Sequence, residues 1–532
     1  MSLPLLPAES PSTHFPHRFI VHMMLGASYR LGLLLLCYPV ISSEGHPEGH
    51  FIAAIYEHRS ILSPDSTALT DRESALRLMS QNLDLYEVQV VAAAKEGVQI
   101  IVFPEDGIHG FNFTRDSIYS FLDFVPPLQS GKWNPCLEPH KFSDTEVLQR
   151  LSCMAIRGQM FLVANLGTKQ PCNSSDPRCP SDGRYQFNTN VVFSDDGTFV
   201  TSYRKHNLYF EYAFDTPSEV DHSTFDTPFA GKFGIFTCFD ILFFEPAVSL
   251  VRDYGVKHIV FPAAWMNQLP LLAGIEIQQA FAVAFNVNVL AANIHHPSLG
   301  MTGSGIHTPQ KSFWYHDMES PEGKLIIAHI AKNPPDVALL WNGTGRIHES
   351  HREFLSEDPI SENDLDGHCS KSPRWSQKMP PSFHSEMMYD NFTLVPVWEN
   401  QGSLRVCANS LCCYLDYQRH VLSNDLYALG VFDGLHTVHG TYYVQACALV
   451  KCGGLHFETC GQEISNAADT FDFHLWGNFS TSFVFPILLT SGMTLESPGQ
   501  LGWEGNCYFM RKNQLSSGLV TASLYGRWYE RD

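Results

Sequence analysis

The chain has 532 residues, long for one ordinary domain and suited to two. With 44% hydrophobic and 17% charged residues it has a globular composition, and its 32 prolines and 37 glycines point to many turns rather than to disorder. A formal charge of −21 argues against nucleic acid or an anionic membrane as a partner.

The first element is a leader. Arg18 and Arg30 precede the apolar run from Leu31 to Ile41, and small residues Ser42 and Ser43 follow, so residues 1–43 read as a signal peptide. The run is too short to anchor in a bilayer, and Met23 and Met24 leave the true start open. No later stretch of 18 apolar residues occurs, and the tail from Tyr525 to Asp532 is charged. The expectation is a secreted protein without a membrane anchor.

Five Asn-x-Ser/Thr sequons, at Asn112, Asn173, Asn342, Asn391 and Asn478, are candidate glycosylation sites in such a chain. Of 14 cysteines, Cys37 falls in the leader. Setting Cys238 aside leaves twelve, an even number that suits disulfides. Cys172 and Cys179 bracket a polar loop and form the easiest local pair. Cys407, Cys412, Cys413, Cys447, Cys452 and Cys460 staple a C-terminal region. The adjacent Cys412-Cys413 could suggest metal ligands, but in a secreted chain disulfides are preferred and no metal is expected.

After the leader, Phe51–Tyr56 reads as a strand. Thr70-x-x-Glu73 reads as a capping box opening a long helix, with Ala75, Leu76, Met79, Leu83, Val90 and Val91 at helical spacing and Gly97 at its end. Strand-like runs follow at 98–104, 159–165, 190–193, 198–204, 233–237 and 257–261. A helix from about Leu269 to Phe285 precedes another strand at 287–292. This alternation predicts an α/β layered domain over residues 49–332. Residues 333–382 are polar and aperiodic, a linker or long loop. Residues 383–532 carry short apolar runs and predict a second, smaller, mainly β, disulfide-linked domain.

Three strand-like runs end in chemistry. Phe103-Pro104 leads to Glu105, Tyr203-Arg204 leads to Lys205, and Phe236-Thr237 leads to Cys238. Open α/β sheets place their reactive groups at such carboxyl ends. A thiol of ordinary acidity is mostly protonated at neutral pH and needs a base or a nearby ammonium to act. Glu105 is the candidate general base and acid, and Lys205 the candidate stabiliser of negative charge on a tetrahedral oxygen, aided by the Phe239 N–H. Taken singly, a buried thiol and a solvated lysine are ordinary. Asp106 and Asp240 adjoin these residues and are candidate orienting groups. His295-His296, Trp265 and Met266 follow strands and are candidate pocket walls. His348-x-x-His351 and His436-x-x-His439 have ligand-like spacing but no evident third ligand, which favours structural or solvated roles.

The order Glu105, Lys205, Cys238, in Phe103-Pro104-Glu105, Tyr203-Arg204-Lys205-His206 and Gly234-Ile235-Phe236-Thr237-Cys238-Phe239-Asp240, resembles the nitrilase superfamily. Met301-Thr302-Gly303-Ser304-Gly305-Ile306 resembles that family's late glycine-serine strand. The two-domain layout and Ile235–Phe243 resemble its biotinidase and vanin branch, from about Phe51 to Asp532. The segments 103–113, 261–270 and 434–440 resemble the biotin-amide hydrolases of that branch. The resemblance implies a four-layer αββα sandwich, a Glu-Lys-Cys triad and a supporting glutamate, for which Glu211 is the nearest candidate. It departs from many relatives in having Phe239 rather than Tyr or Trp after the nucleophile. It further implies hydrolysis of biotin amides such as biocytin or biotinyl peptides through a thioester, with biotinyl transfer to other amines open and no cofactor required. Pantetheine hydrolysis and a non-catalytic biotin carrier are the alternatives.

Overall fold

The computed structural model describes residues 49–127, 131–334, 380–454 and 456–532. The expected leader, Asn342, His348 and His351 lie outside the described residues, as does most of the expected linker.

In chain order β1 (His50–Glu57), α1 (Arg72–Lys95), β2 (Ile100–Val102), β3 (Asp123–Phe124), α2 (Glu146–Gly158), β4 (Phe161–Pro171), β5 (Arg184–Phe193) and β6 (Phe199–Arg204) come first. Then follow β7 (Thr224–Thr227), β8 (Gly231–Ile235), α3 (Ser249–Arg252), β9 (His258–Ala263), α4 (Gly274–Phe285), β10 (Asn288–Asn293), β11 (Ser304–His307), β12 (Ser312–Tyr315) and β13 (Lys324–Ala331). They build two sheets. The first runs β13-β1-β2-β4-β5-β6 with β3 on β4, and the second runs β12-β11-β10-β9-β8-β7. The central strands β1, β2 and β4 are parallel, as are β8, β9 and β10.

The two-residue period of β1 divides it between two cores. Phe51, Ala53 and Ile55 meet Phe233, Ile235, Ile259 and Val289 of the second sheet. Ile52, Ala54 and Tyr56 meet Met79, Leu83 and Tyr86 of α1 and Leu148 and Leu151 of α2. Strands buried on both faces read as continuous apolar runs, which is why they were legible. Helices on the first sheet, two facing sheets and α4 on the second make the αββα sandwich.

Three expectations are corrected locally. The cap of α1 is Asp71, whose Oδ1 accepts from the Ser74 N–H at 2.8 Å, one residue beyond the expected Thr70. Val91 is 39% exposed while Tyr86 is fully buried, so the apolar stripe turns away from Val91. Helix α4 begins at Gly274, because Gln268 and Leu272 exchange both backbone hydrogen bonds and close a turn where helix was expected.

Among the described residues twelve antiparallel strands follow, β14 (Phe383–Met387) to β25 (Leu519–Arg527), in one seven-stranded and one five-stranded sheet. The larger sheet holds β18 (Tyr427–His436), β19 (Tyr442–Lys451), β21 (Val484–Thr490) and β25. Its face covers α4. Phe281 and Phe285 meet Phe485, and Ala446, Ala448 and Ile487 join the core that contains Cys238. Disulfides join Cys136–Cys153, Cys172–Cys179, Cys407–Cys412, Cys413–Cys447 and Cys452–Cys460. Cys507 is also disulfide-bonded, and among the described residues Cys238 is the free thiol.

Candidate active site

Glu105 lies three residues past β2, Lys205 immediately follows β6, and Cys238 lies three residues past β8. Facing sheets therefore bring together two groups from one and the thiol from the other. All three are buried, at 1%, 2% and 6% exposure. Lys205 Nζ donates to Glu105 Oε1 at 2.7 Å and also pairs with Glu211. Asn188 Nδ2 donates to Glu105 Oε1 at 2.7 Å and to Glu211, bridging the two carboxylates. The Ala264 N–H donates to Glu105 Oε2 at 2.8 Å. Three donors fix the plane of that carboxylate before any substrate arrives.

The electrostatics assign protons. Burial alone would lower the Lys205 ammonium, but Glu105 and Glu211 outweigh it and hold the group well above the usual lysine range. Burial pushes the Cys238 thiol well up, Glu105 adds to this, and Lys205 opposes. The resting thiol is therefore protonated, and it could act as a nucleophile only with a base to take its proton.

The turn carrying Cys238 is held from several sides. Cys238 itself has φ 47°, a left-handed backbone that a side-chain-bearing residue adopts only under constraint. The Thr237 N–H donates to Asp240 Oδ2 at 3.0 Å. Tyr203 donates its hydroxyl to the same oxygen at 2.6 Å, and Asn207 donates twice to Oδ1. Asp240 thus fastens the thiol's turn to the segment bearing Lys205. On the other side Asn190 Nδ2 donates to Thr237 Oγ1 at 2.7 Å, and Asn165 donates to the side chains of both Asn188 and Asn190. The Asp106 N–H donates to Asn165 Oδ1 at 3.0 Å, which completes a chain of amides from the Glu105 turn to the Cys238 turn.

Cys238 opens into a pocket of about 450 Å³. Phe239, Leu242, Trp265, Met266, Gln268, Leu272 and Tyr209 line it from the sandwich, and His436, Val438, His439 and Tyr442 from the C-terminal sheet. The loop joining β18 to β19 is therefore part of the wall. Gly440 makes this fit possible. It has φ +133°, and a Cβ there would sit 2.7 Å from the Phe239 ring. Arg527 on β25, fully buried, donates from Nε to the Leu242 carbonyl at 2.8 Å and pairs with Asp532 at 2.6 Å. Its guanidinium lies over the rings of Tyr442 and Tyr529.

Other residues singled out in the sequence fall elsewhere. His295 is buried against Glu57 rather than in the pocket, because Glu57, fully buried, gathers His295, Thr302, Gly303 and Ser304 around its carboxylate. His296 is likewise absent from the pocket lining. His436 Nδ1 lies 2.8 Å from Asp390, so its pairing is with a carboxylate. Among the described residues no three His, Cys, Asp or Glu side chains converge as metal ligands would. Asn112, Asn173 and Asn391 are exposed. Asn478 is half-buried, and its amide nitrogen donates to the Ser410 carbonyl at 3.1 Å.

Sequence reasoning missed Asn188, Asn190 and the Ala264 N–H. A signal existed for the first two, since amides within the apolar strand at 187–193 must find partners when buried. The Ala264 contact carried none, because any residue supplies a backbone N–H.

A buried carboxylate, ammonium and thiol at the ends of facing strands in an αββα sandwich define a thiol amidohydrolase of the carbon-nitrogen hydrolase class. The carbon-nitrogen hydrolase family matches residues 72–296 and the Vanin C-terminal domain matches residues 382–532. The chain belongs to the biotinidase and vanin branch of that family. It is 67% identical to the biotinidase of Homo sapiens over 97% of both chains. It is 70% identical to that of Bos taurus over 92% of this chain and 94% of the other. A pantetheinase of Bos taurus is 44% identical over 91% of this chain and 90% of its own.

Proposed function

We propose that the chain hydrolyses biotin amides of lysine, free as biocytin or in short peptides, with Cys238 as nucleophile, Glu105 as acid and base and Lys205 as oxyanion stabiliser. The observation that carries the chemistry is the buried contact of Lys205 with Glu105 beside the one free thiol of the described residues. The acyl group is inferred from the similarity to biotinidases, which exceeds that to pantetheinases.

Cys238 Sγ attacks the amide carbon as its proton passes to Glu105, and the carbonyl π pair moves to oxygen. The Lys205 ammonium and the Phe239 N–H stabilise that oxygen. The intermediate collapses with cleavage of the C–N bond, and Glu105 returns the proton to the departing amine. A thioester remains. Water then attacks its carbonyl while Glu105 takes a proton, the C–S bond breaks, and the proton returns to sulfur. An amine that outcompetes water would instead accept the biotinyl group. Glu211 and Asn188 act as positioning residues by holding Lys205 and Glu105, and Asp240 holds the thiol's turn.

We assign residues 49–332 to the catalytic domain and 383–532 to the β domain. The reading places the protein outside the cell, since the disulfides of the described residues suit an oxidising compartment. Among the described residues no helix is long and apolar enough to cross a membrane. The test is purified protein assayed on biocytin and on pantetheine, with Cys238→Ala as control. Faster cleavage of pantetheine overturns the substrate, and activity retained in Cys238→Ala overturns the nucleophile.

A further inference from the structure

Rings from three separate loops cluster beside the pocket at His439, and the hydrolytic machinery does not use them. His439, itself exposed and part of the pocket lining, lies 4.6 Å from the ring of Phe210 and 5.1 Å from that of Tyr389. Tyr212 continues the cluster beyond Phe210, and Tyr209 joins it to the pocket interior. These rings are not core. Tyr212 is 80% exposed, Phe210 50% and Tyr389 49%, whereas the deep lining of Leu242, Leu272 and Tyr442 is at most 3% exposed.

Their backbone is also unusual. Phe210, Tyr389 and His439 all have positive φ, at 54°, 67° and 62°. Such a backbone costs on the order of 1–3 kcal/mol at each bulky residue and persists where the surroundings enforce it. At Tyr389 the two-residue turn that it forms with Met388 between the paired Met387 and Asp390 requires that backbone; at Phe210 and His439 no two-residue turn accounts for it. Among the described residues the lysine–ring and arginine–ring pairs lie on other rings.

We propose that Phe210, Tyr212, Tyr389 and His439 form the leaving-group site and hold the ammonium-bearing, amino-acid half of the substrate against their faces. This rests on the biotin-amide reading above. The two halves of an amide depart from its carbonyl in different directions. The apolar acyl chain takes the buried lining, and the lysine stem runs outward past Tyr209 and His439 toward the rings. A cationic α-ammonium at the end of that stem is attracted to aromatic faces, whereas a neutral leaving group gains nothing comparable.

The experiment compares biocytin, Nα-acetyl-biocytin and the 4-nitroanilide of biotin on the wild-type chain, on Tyr212→Leu and on Tyr389→Leu. Leucine keeps apolar bulk and removes the π face. Acetylation, which removes the charge, is expected to raise KM on the wild-type chain. In each variant the ratio of kcat/KM for biocytin to that for the anilide is expected to fall about three- to tenfold, through KM. A ratio unchanged in both variants, with all substrates cleaved, overturns the leaving-group site alone. Failure of the wild-type chain to cleave any of the three overturns the biotin-amide reading and the proposal with it.

Discussion

Lys205 Nζ stands 2.7 Å from Glu105 Oε1, a contact made across 100 residues of chain between side chains that are each 2% exposed. Neither group can be removed without leaving the other buried and short of a partner. Glu105→Gln is expected to lower kcat by roughly 10²–10⁴, the usual contribution of a general acid and base. Glu211→Gln removes only the second carboxylate and is expected to lower kcat by less than Glu105→Gln does. Steady-state rates, with circular dichroism to verify folding, check both, and a Glu211→Gln loss equal to that of Glu105→Gln would refute a purely positioning role.

Gly440→Ala tests whether the C-terminal loop shapes the thiol's turn. The added methyl meets Phe239 and is strained by its backbone as well. Overpacking of this kind costs about 1–3 kcal/mol. The thermal midpoint is expected to fall, and the alkylation rate of Cys238 to change with it. An unchanged alkylation rate would show that the loop merely covers the turn.

Arg527→Met removes the donor to the Leu242 carbonyl while keeping apolar bulk. Hydrogen bonds from a charged donor are worth about 1.5–3 kcal/mol, and Asp532 is left with the Tyr443 N–H alone. Faster hydrogen exchange is expected at residues 238–243, together with a lower kcat. Exchange that quickens only in the C-terminal sheet would contradict the coupling.

The pH dependence of stability has two opposed parts. Burial lowers His58, His109 and His258 from 6.5 to about 4. The unfolded chain therefore binds more protons below pH 6.5, so this contribution is present above 6.5 and lost as pH falls toward 4. Burial raises Glu276 from 4.5 to about 8, against a bond from the Ala273 N–H. Its contribution is complete below 4.5 and is lost as pH rises toward 8. Thermal midpoints from pH 4 to 9 are expected to peak between these limits. Glu276→Gln is expected to flatten the alkaline side alone, and an unaltered alkaline slope would contradict the assignment.

How much of this was legible depended on sequence distance. Glu105, Lys205 and Cys238 could be read because each ends an apolar run, and a strand buried on both faces advertises itself. The cap of α1 was misplaced by one residue because Thr70 and Asp71 are both good caps, and the choice fell to the one whose oxygen reached Ser74. For His295 the sequence leaves pocket wall and ordinary loop histidine both open, because nothing local announces Glu57, 238 residues away. The walls at His436, Val438, His439 and Tyr442 were hidden for the same reason. Their place in the pocket wall comes from how the larger C-terminal sheet seats on α4, and no local pattern encodes it.

The bond from Arg527 to the Leu242 carbonyl also bears on biosynthesis. It spans 285 residues, so the reactive turn leaves the ribosome long before its anchor does. A nascent chain stopped ahead of β25 would carry Glu105, Lys205, Cys238 and the Asp240 bonds to the turn, yet lack the bond that ties the end of that turn to the C-terminal sheet. Hydrolytic competence would therefore arrive late in synthesis, after most cysteines that must find partners have emerged. Fragments released by premature termination are expected to be silent as hydrolases even where the whole sandwich has been made.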